Sequence, residues 1–208
     1  MAYSNLVSYT RISPNCNKRT GKVSKIAIHH AAVVNGSLVG IGNGFANPAR
    51  KASSNYGIDS NGKIALYVDE DNRAWTTGND VDEDAITIEM ANCKGAPNWE
   101  VSDAALAALI DLCVDICNRY NIEKLIFTDK HTGNVVIHKW YQATACPGPY
   151  LESKIPYVVS EVNKRLNQSK IEPSDTLYRV QVGAFRNRAN AEALLQKLKA
   201  DGYDAIIK

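Results

Sequence analysis

The 208-residue sequence has no apolar run approaching the roughly 20 residues that a bilayer-spanning helix requires. It also lacks an excess of either charge: 24 Lys and Arg stand against 22 Asp and Glu, a net of +2. That argues against the basic face of a nucleic-acid binder and against a polyacidic solvating chain. The polar start, residues 1–11, has no apolar centre of the kind a signal peptide carries. Synthesis in the cytoplasm without a signal peptide is therefore expected. The cysteines, Cys16, Cys93, Cys113, Cys117 and Cys146, are odd in number and irregularly spaced. They do not read as a secreted disulfide framework, and at least one thiol is left for another use. What is present is a 45% hydrophobic composition, enough for a packed core.

Residues 1–166 alternate strand-like and helix-like patterns, which predicts an α/β layer architecture. A buried strand over residues 25–29 ends in histidines. Another, 63–68, follows the hairpin turn Ser60-Asn61-Gly62. Residues 85–91 alternate, with Ile86, Ile88 and Met90 on one face and Thr87 and Glu89 on the other. A fourth strand is predicted over 125–128. The spacing of Leu106, Leu109, Ile110, Cys113, Cys117 and Tyr120 predicts a helix over 103–120, capped by Ser102 and closed by Asn121. Cys113 and Cys117, at i and i+4, have the spacing of metal ligands, but they lie on the apolar stripe and read as core. A further helix is predicted over 156–166, with Pro156 in its first turn. Residues 167–175 are polar, contain Pro173 and read as a connector. Residues 176–208 have their own pattern: a strand over 178–185, an amphipathic helix over 189–200 and a second strand over 203–207.

Of four histidines, His29, His30 and His138 stand beside strand ends, and Cys146 follows eight residues after His138 in Thr144-Ala145-Cys146-Pro147-Gly148. Imidazole and thiolate are preferred zinc ligands, and three protein ligands leave a fourth position for water. Spacing alone carries little weight here, because a single histidine is ordinarily a hydrogen-bonded residue and a single cysteine a small hydrophobe.

The ordered set Ile26-Ala27-Ile28-His29-His30, Ser54-Asn55-Tyr56-Gly57-Ile58-Asp59, Thr87-Ile88-Glu89, His138 and Thr144-Ala145-Cys146-Pro147-Gly148 resembles the zinc N-acetylmuramoyl-L-alanine amidases. That family shares its fold with phage lysozyme-type amidases and peptidoglycan recognition proteins. The similarity is nearest to endolysins of phages infecting clostridia and bacilli, and it covers about residues 1–166. It implies a central mixed β-sheet flanked by helices, with Zn2+ in a groove held by His29, His138 and Cys146. It gives Glu89 the role of general acid/base. His30 has no ligand role in the pattern and, on a strand, points away from His29. His131 reads as a solvated loop residue. The phage lysozyme-type branch has an assisting tyrosine where this chain has Ser54, so more of the burden falls on Glu89. Tyr56 reads as either core or substrate-facing. Thr144 reads equally as an oxyanion hydrogen-bond donor or as a turn residue supporting Cys-Pro-Gly.

Residues 176–208 resemble the first half of the SPOR module, which binds peptidoglycan glycan strands. A stretch of this size rarely sustains a core alone. The expectation is either a homodimer through this module or docking onto the first block. Together these readings give a catalytic domain over 1–166, a linker over 167–175 and a partial SPOR-like module over 176–208. The implied activity is hydrolysis of the amide between N-acetylmuramic acid and L-alanine, causing wall lysis after release of the protein as a phage endolysin or leaderless autolysin. The expected partner is peptidoglycan, with no nucleic acid and no membrane insertion. The alternative is a non-catalytic peptidoglycan-recognition protein. Such relatives lose the cysteine ligand, whereas this chain has Cys146.

Overall fold

The computed structural model describes residues 3–171 and 180–207. They fall into two compact units, Met1–Ile171 and Glu172–Lys208. The first unit begins with β1 (Val7–Thr10), β2 (Cys16–Lys18), β3 (Lys25–Val34) and α1 (Leu38–Ala46). It continues through β4 (Tyr56–Ile58), β5 (Ile64–Leu66), β6 (Asn72–Ala74), α2 (Val81–Asp84) and β7 (Ala85–Asn92). It closes with α3 (Asp103–Tyr120), β8 (Val135–Ile137) and α4 (Pro149–Ile171). Six strands form one mixed sheet in the order β1-β5-β4-β7-β3-β8, in which only β4 and β5 pair antiparallel. β2 and β6 form a separate antiparallel ribbon. This is the expected mixed sheet flanked by helices.

The alternation in β7 separates two surfaces. Ile86, Ile88 and Met90 join Ile26 and Ile28 of β3 in the main core, packed with Leu109, Cys113, Ile116 and Cys117 of α3 and with Ile155, Val158 and Val162 of α4. Ala27, His29, Thr87 and Glu89 point to the other surface, where the functional groups collect. α3 has the predicted bounds. Ser102 Oγ accepts from Ala105 N–H at 3.1 Å, and Asn121 takes the left-handed conformation at φ 55°. The β4–β5 hairpin also forms as expected. Its turn needs glycine at Gly62, where φ is +80° and a Cβ would lie 2.7 Å from the Ala104 carbonyl.

α4 is longer at both ends than its predicted span of 156–166. Pro149, not Pro156, takes the first turn, where a missing N–H leaves no bond unmade. Pro156 lies inside the helix on the exposed side, while Leu151, Ile155, Val158, Val162 and Leu166 bury the other. Tertiary packing thus overrides the proline's local preference. The helix also runs on through residues 167–171, the first part of the expected connector. Residues 172–175 of that connector lie outside the described residues.

Residues 125–128 form no strand. Asn163 on α4 takes both backbone groups of Leu125, at 2.8 and 2.9 Å, and Asn134 Oδ1 takes Ile126 N–H at 2.7 Å. Side-chain amides therefore stand in for ladder partners at Leu125 and the Ile126 N–H, while the Ile126 carbonyl accepts from Asn134 and Val135 N–H, each at 3.0 Å.

The second unit contains α5 (Arg188–Ala200), close to prediction, with Asn187 Oδ1 capping Ala189 N–H at 2.9 Å. Among its described residues, neither 180–185 nor 203–207 forms a strand. The remainder of the first expected strand, residues 178 and 179, lies outside the described residues. Val180, Val182 and Ile206 are exposed, and strands without apolar cover are marginal in water.

Candidate metal centre and active site

Three segments converge on one surface of the sheet. β3 carries His29, which is 1% exposed. β8 pairs in parallel with β3, Ile28 opposite Ile137, so the next residues, His29 and His138, emerge side by side. Their rings lie 4.9 Å apart between centroids. The loop after His138 returns Cys146, whose Sγ lies 3.6 Å from His29 Nδ1. Lys139 N–H to the Cys146 carbonyl, at 3.1 Å, and Gly148 N–H to the Ala145 carbonyl, at 2.7 Å, fix that return.

The donor atoms of His29, His138 and Cys146 all lie within 4.8 Å of one another, an arrangement that can hold one metal ion. Burial, followed by the neighbouring imidazoles of His138 and His30, holds His29 well below the ordinary histidine value. Burial also lowers His138, against opposing effects from Gln142 and Asp82. Both rings are thus kept in the neutral form that ligates metals. The Nε2 atoms of both rings are buried with no hydrogen-bond partner. Burial and then the charge of Glu89 push the Cys146 thiol up, while the His30 N–H, 3.4 Å from Sγ, opposes them. A thiolate in this place calls for a cation beside it.

Glu89 is the one residue of β7 that is not fully buried, and it opens into a cavity of about 600 Å³ shared with His29, His138 and Cys146. Protein atoms surround its carboxyl closely, and burial pushes it up to about 7, opposed by the Arg50 guanidinium. Thr144 also lines the cavity. Its Oγ1 accepts Cys146 N–H at 3.2 Å, which supports the turn, and its own proton is still available for donation.

The remaining expected residues are placed as follows. His30 is 8% exposed, packs edge-on against Trp99 at 5.6 Å and also lines the cavity. Its backbone bond to the Cys146 sulfur is a contribution that no side-chain pattern reveals. His131 is exposed in the turn built on Asp129, as expected. Ser54 is fully buried and donates to the Tyr56 carbonyl at 2.6 Å, away from the cavity lining. Tyr56 is core, not substrate-facing: its hydroxyl donates to Glu70 and accepts Ser4 N–H at 2.8 Å. The buried Glu70 carboxylate is also met by the Arg119 fork and by the Tyr120 hydroxyl at 2.9 Å. Cys113 and Cys117 are buried core thiols, both pushed up by burial. No helix among the described residues is long and apolar enough to cross a membrane.

Residues 19–149 match the family model described as N-acetylmuramoyl-L-alanine amidase, and residues 158–208 match the SPOR domain model. No curated protein matches the chain significantly. Among solved structures, the chain is similar to the Staphylococcus aureus hydrolase AmiA in complex with its ligand, at 16% identity and TM-score 0.64, covering 83% of this chain and 89% of that one. It is also similar to PlyL, at 17% identity and TM-score 0.57, covering 74% and 95% respectively. A mutant endolysin from Bacillus subtilis aligns at 19% identity and TM-score 0.58, covering 75% and 99%. At these identities the likeness is one of fold.

Proposed function

The chain belongs to the N-acetylmuramoyl-L-alanine amidase family, and from that premise we propose that its peptidoglycan amidase activity depends on zinc held by His29, His138 and Cys146. The observation that carries the reading is the His-His-Cys cluster on the floor of a cavity, with one carboxylate beside it. Zinc–nitrogen bonds of about 2.0 Å and zinc–sulfur bonds of about 2.3 Å separate N and S by about 3.5 Å at a tetrahedral angle. The His29 Nδ1 and Cys146 Sγ atoms are 3.6 Å apart. One anionic and two neutral donors leave net positive charge on the ion.

Zinc in this site supplies a Lewis acid for the scissile carbonyl and a water of lowered pKa. Glu89 takes the proton of the attacking water and delivers it to the leaving L-alanine amine. Burial raises this carboxyl in the metal-free chain and a neighbouring cation lowers it, and general acid/base work calls for a group that exchanges its proton near the working pH. Thr144 donates its hydroxyl proton toward the developing oxyanion. The His30 N–H holds the Cys146 sulfur, so the thiolate keeps its direction as charge moves nearby.

The domain reading is a catalytic unit over 1–166 and a SPOR-like wall-binding module over 176–208, with self-association through the uncovered apolar residues of that module. The biological role we assign is lysis of the bacterial wall, as a phage endolysin or a bacterial autolysin. A neighbouring holin gene separates the two. Mass spectrometry of purified walls digested with the protein tests the bond assignment. Free L-alanine N-termini without new reducing sugars are expected, and new reducing ends alone refute it.

A further inference from the structure

The core faces of β3 and β7 both end in polar residues. His30 follows Ile26 and Ile28 along one strand, and Asn92 follows Ile88 and Met90 along the other. Both are buried. The Asn92 side chain faces the His30 ring, and its Nδ2 donates to the Trp99 carbonyl at 2.7 Å. The Trp99 ring in turn meets the His30 ring edge-on at 5.6 Å. Asn92, His30 and Trp99 thus close a small circuit on the face of the sheet opposite His29.

The turn that delivers Cys146 is seated on this circuit. Gly148 has φ +83°, and a Cβ there would lie 3.2 Å from Trp99 Cβ and 3.4 Å from the His30 ring. Just beyond it, Tyr150 N–H bonds the Asn98 carbonyl at 3.3 Å. The sulfur is held from β3 as well. Ile26 N–H bonds the Asn134 carbonyl beside β8, and alternate N–H groups of a strand point the same way. β8 ends opposite Ile28, so the His30 N–H has no ladder partner there and meets the Cys146 sulfur at 3.4 Å. Trp99 itself has φ 52°, a left-handed conformation that bulky residues seldom take. Its N–H to the Gly95 carbonyl, at 3.0 Å, and the Asn92 bond hold it there. Strain of this kind persists where the surroundings over-determine it, and it collects at ligand sites.

We infer that Asn92 and Trp99 are positioning residues for the metal centre: through the His30 ring and Gly148 they fix the Cys146 turn, so the sulfur is aimed before an ion arrives. The inference rests on the zinc reading of the His29, His138 and Cys146 cluster and adds what orients its third donor. It also accounts for a tryptophan kept in a conformation that glycine would take without strain.

The test uses the full chain, titrated with Zn2+ against a chelating dye and with Co2+, whose sulfur-to-metal charge-transfer band reports the direction of the thiolate. Trp99→Gly removes the ring and suits the left-handed backbone, so the loop keeps its path. It should weaken Zn2+ binding about 10–100-fold and shift or dim the cobalt band. Asn92→Leu, similar in shape but without the amide, should do the same. Trp99→Phe keeps an aromatic edge for His30 and should return both readings close to wild type. Val162→Ala opens a cavity in the main core further along α4 and should lower Tm while leaving affinity and band unchanged. Wild-type affinity and band in both Trp99→Gly and Asn92→Leu overturn the positioning role. Equal losses in Val162→Ala also overturn it, by reducing the effect to stability. A wild type that takes up neither ion overturns the zinc reading and the positioning role with it.

Discussion

His29 and Glu89 are register partners across the parallel pair β3 and β7. Residues opposite one another on paired strands share a face, so the buried imidazole and the carboxyl emerge side by side from regular structure. β7 is held on both sides, by β4 and β3. The spacing between the two groups is therefore set by sheet hydrogen bonds and does not depend on a loop, which favours a preorganised site.

Glu89→Gln should retain zinc and thermal stability while turnover falls at least ~100-fold, the lower range for loss of a general acid/base. Metal analysis, thermal unfolding and turnover on cell walls measured together give the answer. Wild-type turnover in this variant returns Glu89 to a structural role.

His29→Ala, His138→Ala and Cys146→Ser should each lose stoichiometric zinc, and chelation of the wild type should abolish lysis until Zn2+ is restored. Elemental analysis after dialysis reads the first effect, and turbidity loss of a wall suspension reads the second. Full zinc content in Cys146→Ser contradicts the ligand assignment.

In metal-free protein, Glu89 should make stability depend on pH. Its folded value of about 7 lies above the ordinary 4.5, so between these values the folded chain holds a proton that the unfolded chain has released. This group's contribution is fully present below about 4.5, declines as pH rises and is gone above about 7. Denaturant unfolding of chelated wild type should show that decline, and Glu89→Gln should lack it.

Tyr56→Phe should destabilise the protein by about 1–3 kcal/mol, because the Glu70 carboxylate and Ser4 N–H both lose a buried partner. Glu70→Ala should cost more, about 2–4 kcal/mol, since it takes the acceptor from the Tyr56 and Tyr120 hydroxyls and one of two carboxylates from Arg119, which keeps Asp115 at 2.8 Å. Both variants should keep zinc and activity at temperatures where they are folded. Loss of turnover in a folded Tyr56→Phe variant counts against a purely structural Tyr56.

Removing residues 172–208 should leave zinc binding and amidase turnover on soluble fragments intact while reducing retention on insoluble walls. Light scattering should give a monomer for the truncated chain and a dimer for the full chain at tens of micromolar, a concentration at which a weak pair is populated. A full-length monomer removes the self-association idea.

Strong local signals were legible without the structure. The α3 stripe, its caps and the Ser60-Asn61-Gly62 turn specify conformation through near neighbours. Glu89, His29, His138 and Cys146 were legible only as an ordered set, since each alone has a commoner structural reading. α1 escaped notice because three glycines dilute its helical pattern. Residues 125–128 misled because Leu125-Ile126-Phe127 is a short apolar run of strand-forming type, but Asn163 and Asn134, both later in the sequence, take the backbone groups of Leu125 and Ile126 N–H. The expected strands of the second unit have the right pattern and no cover, and pattern alone does not make a ladder. Tyr56 was undecidable because its role depends on Glu70 and Arg119, which no local rule links to it.

The first and last members of the His-His-Cys cluster are 117 positions apart. During synthesis, His29 leaves the ribosome long before Cys146 exists, so a nascent chain has at most part of a metal site. The cluster is complete only once β3, β8 and the returning loop have all docked. A truncated or stalled product lacks the third donor, so the order of these residues along the chain ties completion of the cluster to completion of the fold.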